Sequence, residues 1–226
     1  MNARTFNARG REVQLHLLER HGQVADALRS LCHRLAALLL LLLLSPLFAW
    51  VAWRIARHDG WPLLYGGYRV GRQGRLFRCY KFRTMGRDAD EALVELLASD
   101  AGAREQWQRE QKLDDDPRIT PIGHFLRRSS LDELPQLFNV LLGDMALVGP
   151  RPITVPELER YGAARWHYLN VLPGMTGLWQ VSGRNDVSYP KRVMLDRGYV
   201  EQRGLVSDIV ILWRTVHVVL ARRGAR

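Results

Sequence analysis

The chain has 226 residues, with 33 Lys and Arg against 23 Asp and Glu, so its formal net charge is +10. This length suffices for a domain with a buried core, and the basic charge indicates a negatively charged partner. The sequence lacks the aromatic signature of RNA-binding modules and the spacing of zinc sites, which argues against a nucleic-acid-binding protein. An anionic membrane surface or a phosphorylated substrate suits the charge better. Cys32 and Cys79 show no paired spacing and predict a reducing compartment.

The first unusual segment is a run without formal charge over 35–53. Its 19 residues approach the roughly 20 that a helix needs to cross the hydrocarbon core of a bilayer. It begins too late for a cleavable signal peptide, and no small-residue cleavage pattern follows it. A core helix of a soluble domain would show a polar face, and this run shows none. The segment is therefore predicted to enter a membrane, and residues 1–30 form an N-terminal extension without an assigned role.

Ser45 and Pro46 interrupt this run near its middle. Pro46 has no amide hydrogen and its ring clashes with the carbonyl of Leu42, so the helix must kink or break there. The Ser45 hydroxyl could bond a carbonyl that the break releases, because hydrocarbon supplies no water.

The flanks of the apolar run are basic on both sides. Residues 1–34 carry six arginines against three acids, and residues 54–83 carry eight Lys and Arg against Asp59 alone. The positive-inside rule then requires both ends in the cytoplasm, which a single straight span does not provide. A straight span stays as the alternative, but the pattern favours a re-entrant helix over 31–57. A cytoplasmic, membrane-associated domain over 58–226 follows it.

The middle of the chain predicts a hairpin and then helix. Two β-compatible runs flank the turn Gly71-Arg72-Gln73-Gly74 within 63–85, which predicts a β-hairpin. The stretch 88–113 predicts a helix interrupted near Gly102. The run Asp114-Asp115-Asp116 invites a metal site, but consecutive side chains diverge, so a solvated loop is the prediction.

The second half predicts shorter helices around 121–128 and 134–142, with loops over 143–152 and 173–186. The stretch 205–220 has eleven apolar residues in sixteen and predicts an amphipathic helix at a membrane interface. A buried core helix is the alternative for this stretch. The resulting fold class is α+β and mainly helical.

The densest set of candidate catalytic residues lies in 127–152. The S-x-x-E pattern from Ser130 to Glu133 fits a helix capping box, which is a purely structural role. Pro135 fits that frame poorly because it would be the fifth helical residue, so Asp132 is the alternative N-cap. In either frame Asp132 and Glu133 lie at the positive end of a helix, where phosphate also binds. Two adjacent carboxylates in an arginine-rich chain suit a divalent cation shared with a diphosphate, which indicates phosphoryl transfer.

Several ordered motifs carry a more specific resemblance: KFRTM (81–85), DPRIT (116–120), SLDELPQLFNVLLGDMALVGPRP (130–152), PGMTGLWQVSGRND (173–186) and LDRGYV (195–200). Over about 34–208 the chain resembles the bacterial sugar transferases, monotopic phosphoglycosyl transferases that start polysaccharide and glycoconjugate assembly. It most resembles the exopolysaccharide-type undecaprenyl-phosphate galactose phosphotransferases. The resemblance implies transfer of a sugar 1-phosphate from a UDP-sugar to undecaprenyl phosphate, with release of UMP. It also implies a membrane helix that breaks at Ser45-Pro46 and returns to the cytoplasmic face.

The resemblance also implies roles for individual residues. Asp132 would be the nucleophile that forms a phosphoglycosyl-aspartate, and Glu133 would help it to hold Mg²⁺. Three cations would bind phosphates and two further residues would contact the nucleotide or complete the site: Lys81, Arg127 and Arg151, then Arg184 and Asp196. One departure concerns the start of the membrane helix, where relatives have Lys-Arg followed shortly by Asp and this chain has His33-Arg34-Leu35-Ala36-Ala37.

The expected partners are a UDP-sugar, undecaprenyl phosphate and membrane lipids, with downstream glycosyltransferases as further candidates. The expected location is the cytoplasmic face of a bacterial inner membrane, and Mg²⁺ is the expected cofactor. Galactose is favoured over glucose as the donor sugar by resemblance alone. An inactive basic scaffold at the membrane surface is the alternative function, but the intact Asp132-Glu133 pair favours an enzyme.

Overall fold

The computed structural model describes residues 24–110, 113–183 and 187–220. The described chain is mostly helical with two small two-stranded sheets, which confirms the predicted α+β class. Its longer elements are the helices α1 Val24–Leu43, α2 Ser45–His58, α3 Ala89–Ser99, α4 Ala101–Glu110, α5 Pro121–Ser129, α9 Tyr189–Gln202 and α10 Leu205–Leu220. The shorter elements are β1 Leu64–Val70, β2 Leu76–Phe82, α6 Gln136–Leu142, β3 Ala146–Val148, α7 Val155–Glu159, α8 Arg165–Leu169 and β4 Gly174–Thr176.

The predicted helix break is present between α1 and α2, which meet at an angle of 62°. Pro46 is in the first turn of α2, and Ser45 Oγ donates to the Leu42 carbonyl at 2.8 Å, so the released acceptor is satisfied locally. No single helix in the described ranges has the length and apolarity to cross a membrane. The bent pair meets both criteria when its two helices are taken together.

The predicted hairpin is also present, with β1 and β2 antiparallel and paired from Leu64 opposite Phe82 to Val70 opposite Leu76. The turn between them is a single 3₁₀ turn in which Gly74 and Gln73 both have positive φ, so only one of the two predicted glycines serves that purpose. Asn139 of α6 covers the other edge of β2. Its side chain accepts from the Tyr80 amide at 2.9 Å and donates to the Arg78 carbonyl at 2.7 Å.

The helical stretch after the hairpin breaks at Asp100, whose backbone is extended, two residues before the predicted interruption at Gly102. The aspartate run that follows is a loop, as predicted, but Asp116 is not solvated. It is buried and its carboxylate accepts from Arg118 Nε at 2.8 Å and from a terminal nitrogen at 2.7 Å. Burial alone would raise the pKa of Asp116, but these hydrogen bonds hold it below its ordinary value.

The region around the acidic pair differs from both predicted capping frames. Ser130 has a left-handed backbone and ends α5, and its side chain caps no helix. Asp132 and Glu133 lie in a 3₁₀ turn, Leu131–Glu133, and Pro135 is the N-cap of α6. Both frames were wrong because proline, which lacks an amide hydrogen, starts the helix. The N-cap at Pro135 is five residues after Ser130 and three residues after Asp132. The chain does form a capping box, but at the start of α7.

The two stretches predicted as loops each contain a short strand. Ala146 pairs with Gly174 and Val148 with Thr176, which gives a parallel pair that the sequence did not reveal. The approach is very close, because a Cβ on Gly174 would lie 2.0 Å from the Gly149 nitrogen. Three-residue strands show too little alternation of apolar and polar residues to be recognised in a sequence. The glycine at position 174 allows the two backbones to pack closely.

The last helix presents an apolar face to the outside. Val206, Ile209 and Trp213 are 77%, 64% and 64% exposed, while Asp208 and Ile211 on the other side are buried. The alternative of a buried core helix for this stretch was therefore wrong.

A polar cluster holds α10 to α1. Asp208 accepts hydrogen bonds from Arg29, from Tyr199 at 2.8 Å and from His33 Nε2 at 3.1 Å, and His33 Nδ1 accepts from the Leu147 amide at 3.2 Å. Helix α1 therefore continues through His33, and the His33 side chain joins it to Asp208 of α10 and to the Leu147 amide. The apolar core around this cluster includes Ala37, Leu137, Val148 and Ile211 from four different elements.

Candidate active site

The acidic pair occupies the short 3₁₀ turn between α5 and α6. Asp132 is 8% exposed and Glu133 is partly buried. Leu131 and Leu134, on either side of the pair, pack against a core formed by α2, β2 and α5. The turn is therefore fixed by apolar contacts, and its two carboxylates are held at the edge of a cleft.

Lys81 is the nearest cation to this pair. It is the last but one residue of β2, and its Nζ lies 2.7 Å from Glu133 Oε1 and 3.8 Å from Asp132 Oδ2. The register of the hairpin decides this placement, because alternate residues of a strand face opposite sides.

Arg127 approaches the pair from α5. A Cβ on Gly123 would lie 2.1 Å from the Thr84 carbonyl, so only glycine allows α5 to pack this closely on the chain after β2. Arg127 Nε then donates to Thr84 Oγ1 at 2.9 Å, and its positive charge acts on Asp132. Burial lowers the pKa of Arg127, and the charge of Asp132 opposes that shift.

Arg151 follows β3 in the GPRP motif. One of its terminal nitrogens lies 3.7 Å from Glu133 Oε1, and 45% of its side chain is exposed to the cleft. Arg151 is therefore the most accessible of the three cations, and it can contact a ligand without leaving Glu133.

The electrostatics of Asp132 combine opposing effects. Burial raises the pKa of Asp132 and the neighbouring Glu133 adds to the rise, while Lys81, Arg127 and Arg151 oppose it. Three cations around two carboxylates leave a net positive charge, which suits a diphosphate. The Asp132 carboxylate has no direct hydrogen bond from the described residues, so its oxygens are available for attack on a bound electrophile.

One of the predicted site residues does not contact the acidic pair in the described structure, and another cannot be placed. Asp196 of α9 is buried and accepts from Tyr161 at 2.8 Å, while its second oxygen has no partner among the described residues. Burial raises its pKa to about 7, with the Tyr161 hydrogen bond opposing. Arg184 lies outside the described residues.

The cleft beside the pair has further lining residues that the sequence did not indicate, including Arg69 of β1 and Gln136 of α6. Arg69 lies on the face of the hairpin that Lys81 shares, and the period of two could have identified it. Arg192 of α9 stacks over Trp179 at 4.6 Å, and the charge of Arg151 helps to lower its pKa after burial.

A magnesium ion would find two carboxylates here. No group of three or more His, Cys, Asp and Glu side chains in the described parts of the chain could hold a metal by itself. Mg²⁺ is commonly held by one or two carboxylates together with substrate phosphates, so Asp132 and Glu133 fit it when a diphosphate is bound.

Comparison with known proteins agrees with this chemistry. A profile of the family described as bacterial sugar transferase matches residues 24–222. The chain is 56% identical over 189 residues to an undecaprenyl-phosphate galactose phosphotransferase of Salmonella typhimurium, which covers 84% of this chain and 40% of that protein. It is 53% identical to a UDP-galactose-lipid carrier transferase of Erwinia amylovora, covering 84% of this chain and 39% of that protein. It is 48% identical to the exopolysaccharide production protein ExoY of Sinorhizobium fredii, with 84% of each chain covered. The chain thus spans about two fifths of the first two relatives.

Proposed function

The chain belongs to the bacterial sugar transferase family, and from this premise we propose that it transfers a hexose 1-phosphate from a UDP-sugar to undecaprenyl phosphate. UMP is released, and the lipid diphosphate sugar is the first membrane-bound intermediate of exopolysaccharide synthesis. The names of two similar proteins contain galactose, which supports UDP-galactose as the donor. A catalytically inactive scaffold is the competing function, and the assay below separates the two.

The observation that carries the proposal is the convergence of Lys81, Arg127 and Arg151 on the Asp132-Glu133 pair. These cations come from three separate segments, and their charges all act on the one buried carboxylate. A structural ion pair needs one cation for each carboxylate, whereas a site for a diphosphate needs more cations than carboxylates.

The proposed reaction has two displacements. Asp132 attacks the phosphorus that carries the sugar, the bond from that phosphorus to the oxygen bridging to UMP breaks, and a phosphoglycosyl-aspartate forms. Undecaprenyl phosphate then attacks the same phosphorus with a phosphate oxygen, and the Asp132 carboxylate leaves. Lys81 and Arg127 neutralise the charge that develops on the non-bridging oxygens, and Arg151 binds the diphosphate from the open side.

Two further residues and a metal complete the proposal. Arg184 contacts the nucleotide, Asp196 completes the substrate site, and Asp132 with Glu133 holds Mg²⁺. When bound, this ion would neutralise part of the diphosphate charge.

The proposed location is the cytoplasmic face of a bacterial inner membrane, with the bent pair α1–α2 inserted as a re-entrant helix over 31–57 and the catalytic domain over 58–226 outside. The basic flanks on both sides support this topology, because positive charge is retained in the cytoplasm. The exposed apolar faces of α1 and α10 support insertion, since Leu39, Leu43 and Val206 are each at least 67% exposed. Membrane lipids are then partners, and downstream glycosyltransferases are candidates.

The topology is tested with single cysteines in a chain without Cys32 and Cys79. Gly10→Cys and Arg72→Cys should both resist an impermeant thiol reagent added to intact cells. Labelling of either one would contradict the re-entrant helix. Replacing Ser45-Pro46 by Ala-Leu should remove the break and expose position 10 to the reagent.

The reaction is tested by intact-protein mass after incubation with UDP-galactose and Mg²⁺ but without acceptor. We expect UMP release and a hexose-phosphate increment on Asp132, followed by ping-pong kinetics once acceptor is present. Activity without that increment under rapid quench would replace the double displacement by direct attack of the lipid phosphate. No UMP release with any common UDP-hexose, with acceptor present, would favour the scaffold.

A further inference from the structure

A second cleft lies between α2 and α5 and has a volume of about 530 Å³. Helix α2 contributes Trp50, Arg54 and His58 to its wall, and α5 contributes residues from its first turn and Phe125. This volume is within the range of small-molecule sites. The acidic pair and its cations do not line this cleft within the described structure, so it is separate from the candidate active site.

The wall from α2 changes character along its length. Trp50, Arg54 and His58 are spaced by four residues and therefore lie on one face of the helix. Trp50 packs edge-on against Phe125 with ring centroids 6.1 Å apart, which gives one end of the cleft an aromatic wall. Arg54 follows one turn later, about 6 Å along the axis. The cleft is thus apolar at the Trp50 end and cationic at the Arg54 end, which lies towards the basic flank.

The Arg54 guanidinium is incompletely satisfied. Its Nε is buried and has no hydrogen-bond partner among the described residues. The carboxylate nearest in the cleft wall, Asp59, already accepts from Thr120 Oγ1 at 2.8 Å. The Arg54 guanidinium forms no ion pair with the described residues, so an anion in the cleft would supply the counter-charge that the chain does not.

The surroundings add further positive charge. Arg83 is buried behind Asp59 and donates to the backbone carbonyls of Asp59 and Gly60, both at 2.7 Å, but two of its other nitrogens have no partner among the described residues. Two arginines against one carboxylate leave this end of the cleft positive. An aromatic wall one turn below a positive end matches the order of acyl chain and phosphate in a lipid leaflet.

We infer that this cleft binds an anionic glycerophospholipid, with the Arg54 guanidinium paired with the headgroup phosphate and an acyl chain lying along Trp50 and Phe125. The inference rests on the membrane insertion proposed above but not on the proposed chemistry. The occupant is not undecaprenyl phosphate on its way to the acidic pair. Arg127 approaches that pair from α5, and Arg127 lies about 200° around the helix from Phe125, which lines the cleft.

The test is native mass spectrometry of the full chain in detergent, titrated with phosphatidylglycerol. Arg54→Gln should weaken binding about tenfold, the usual effect of removing one charge-assisted hydrogen bond. Arg57→Gln on the exposed side of the same helix is the matched control, since it removes the same charge outside the cleft. It should change binding by less than about twofold. Phe125→Ala keeps Arg54 and removes the apolar wall, so it should also weaken binding. This variant provides the test if Arg54→Gln fails to fold.

Several outcomes would overturn the inference. Equal losses in Arg54→Gln and Arg57→Gln would mean diffuse charge attraction, and binding of inorganic phosphate as tight as that of the lipid would mean an anion site only. Displacement of phosphatidylglycerol by stoichiometric undecaprenyl phosphate would assign the cleft to the acceptor. Failure of the whole chain to float with phosphatidylglycerol vesicles would contradict membrane insertion. We expect Arg54→Gln to release UMP at the wild-type rate. A loss of lipid binding can then be distinguished from a failure of the proposed reaction.

Discussion

Asp132 and Asp208 are both buried carboxylates with arginine nearby, yet their surroundings differ in kind. Asp208 accepts hydrogen bonds from Arg29, His33 and Tyr199. Burial would raise its pKa, but these bonds hold the pKa below the ordinary value. The nearest cation to Asp132 in the described structure is Lys81, whose Nζ is 3.8 Å away, and burial raises the pKa of Asp132.

The difference separates a carboxylate that joins helices from one that can react. A saturated carboxylate has no lone pair to spare, and moving it costs several hydrogen bonds. A carboxylate near cations without direct hydrogen bonds keeps its oxygens available, and the cations become partners of the substrate instead. The predictions for Asp132, Asp208 and Lys81 test the two sides of this contrast, and the prediction for Asp196 tests a third buried carboxylate.

The largest effect is expected for Asp132→Asn. The substitution keeps size and removes the anionic oxygen, so UMP release should fall by about a thousandfold or more, as for other enzymes that lose their nucleophile. The unfolding temperature should stay level or rise slightly, because a buried charge is lost without breaking a hydrogen bond. Asp115→Asn in the exposed loop is the control for charge alone. If Asp132→Asn retains a tenth of the rate, Asp132 is not the nucleophile.

Asp208→Asn should show the reverse pattern. Its amide would oppose the donors of Arg29 and His33, and the free energy of unfolding should fall by about 3 kcal/mol, as for other broken buried pairs. Thermal unfolding in detergent measures this loss, while UMP release per folded molecule should change less than about twofold. The control is Asp26→Asn, which loses a more exposed bridge to Arg203 and should cost less than about 1 kcal/mol. Equal losses in both variants would remove the contrast.

Asp196 should make stability depend on pH. Its pKa is about 7 in the folded chain and near 4 when unfolded, so the folded state binds an extra proton between these values. Stability from this group is complete below pH 4 and declines as the pH rises through 7. Between pH 5 and pH 8 the wild type should lose about 2 kcal/mol relative to Asp196→Asn. If the difference in unfolding free energy between the two proteins is the same at pH 5 and pH 8, burial does not raise the pKa of Asp196.

Lys81→Gln should have the smallest effect of the four. It removes one of three cations, so the rate of UMP release should fall about tenfold, or about 1.4 kcal/mol. Arg78→Gln on the exposed face of the same strand is the matched control and should leave the rate of UMP release unchanged. A similar loss in both would mean that net charge, not the position of Lys81, supports the reaction.

The elements that sequence predicted well have strong local signals. Pro46 fixed the break between α1 and α2, and the glycine-flanked turn fixed the hairpin. The motifs identified Asp132, Lys81, Arg127 and Arg151, which the structure brings together. Local patterns could not reveal that Asp116 is buried, because its partner Arg118 is recognisable only from a folded loop.

Long-range contacts explain the other differences. The pairing of β3 with β4 depends on two glycines that are 25 residues apart in the chain, and no periodicity marks it. The S-x-x-E pattern at Ser130 was misleading, because the tertiary fold uses Ser130 to end a helix. Two partners of Asp208, His33 and Arg29, lie 175 and 179 residues away, so these contacts could not be inferred from spacing.

Asn139 helps to fix the register of the hairpin. Its amide bonds the backbone on both sides of Cys79, and a slip of β2 by one residue would present it with the wrong groups. The two lost bonds would cost about 1–3 kcal/mol each. Because such a slip would also turn Lys81 to the far side of the sheet, the same two bonds that pin the strand keep a cation beside the acidic pair. One buried amide therefore links the accuracy of strand pairing to the charge of the candidate site.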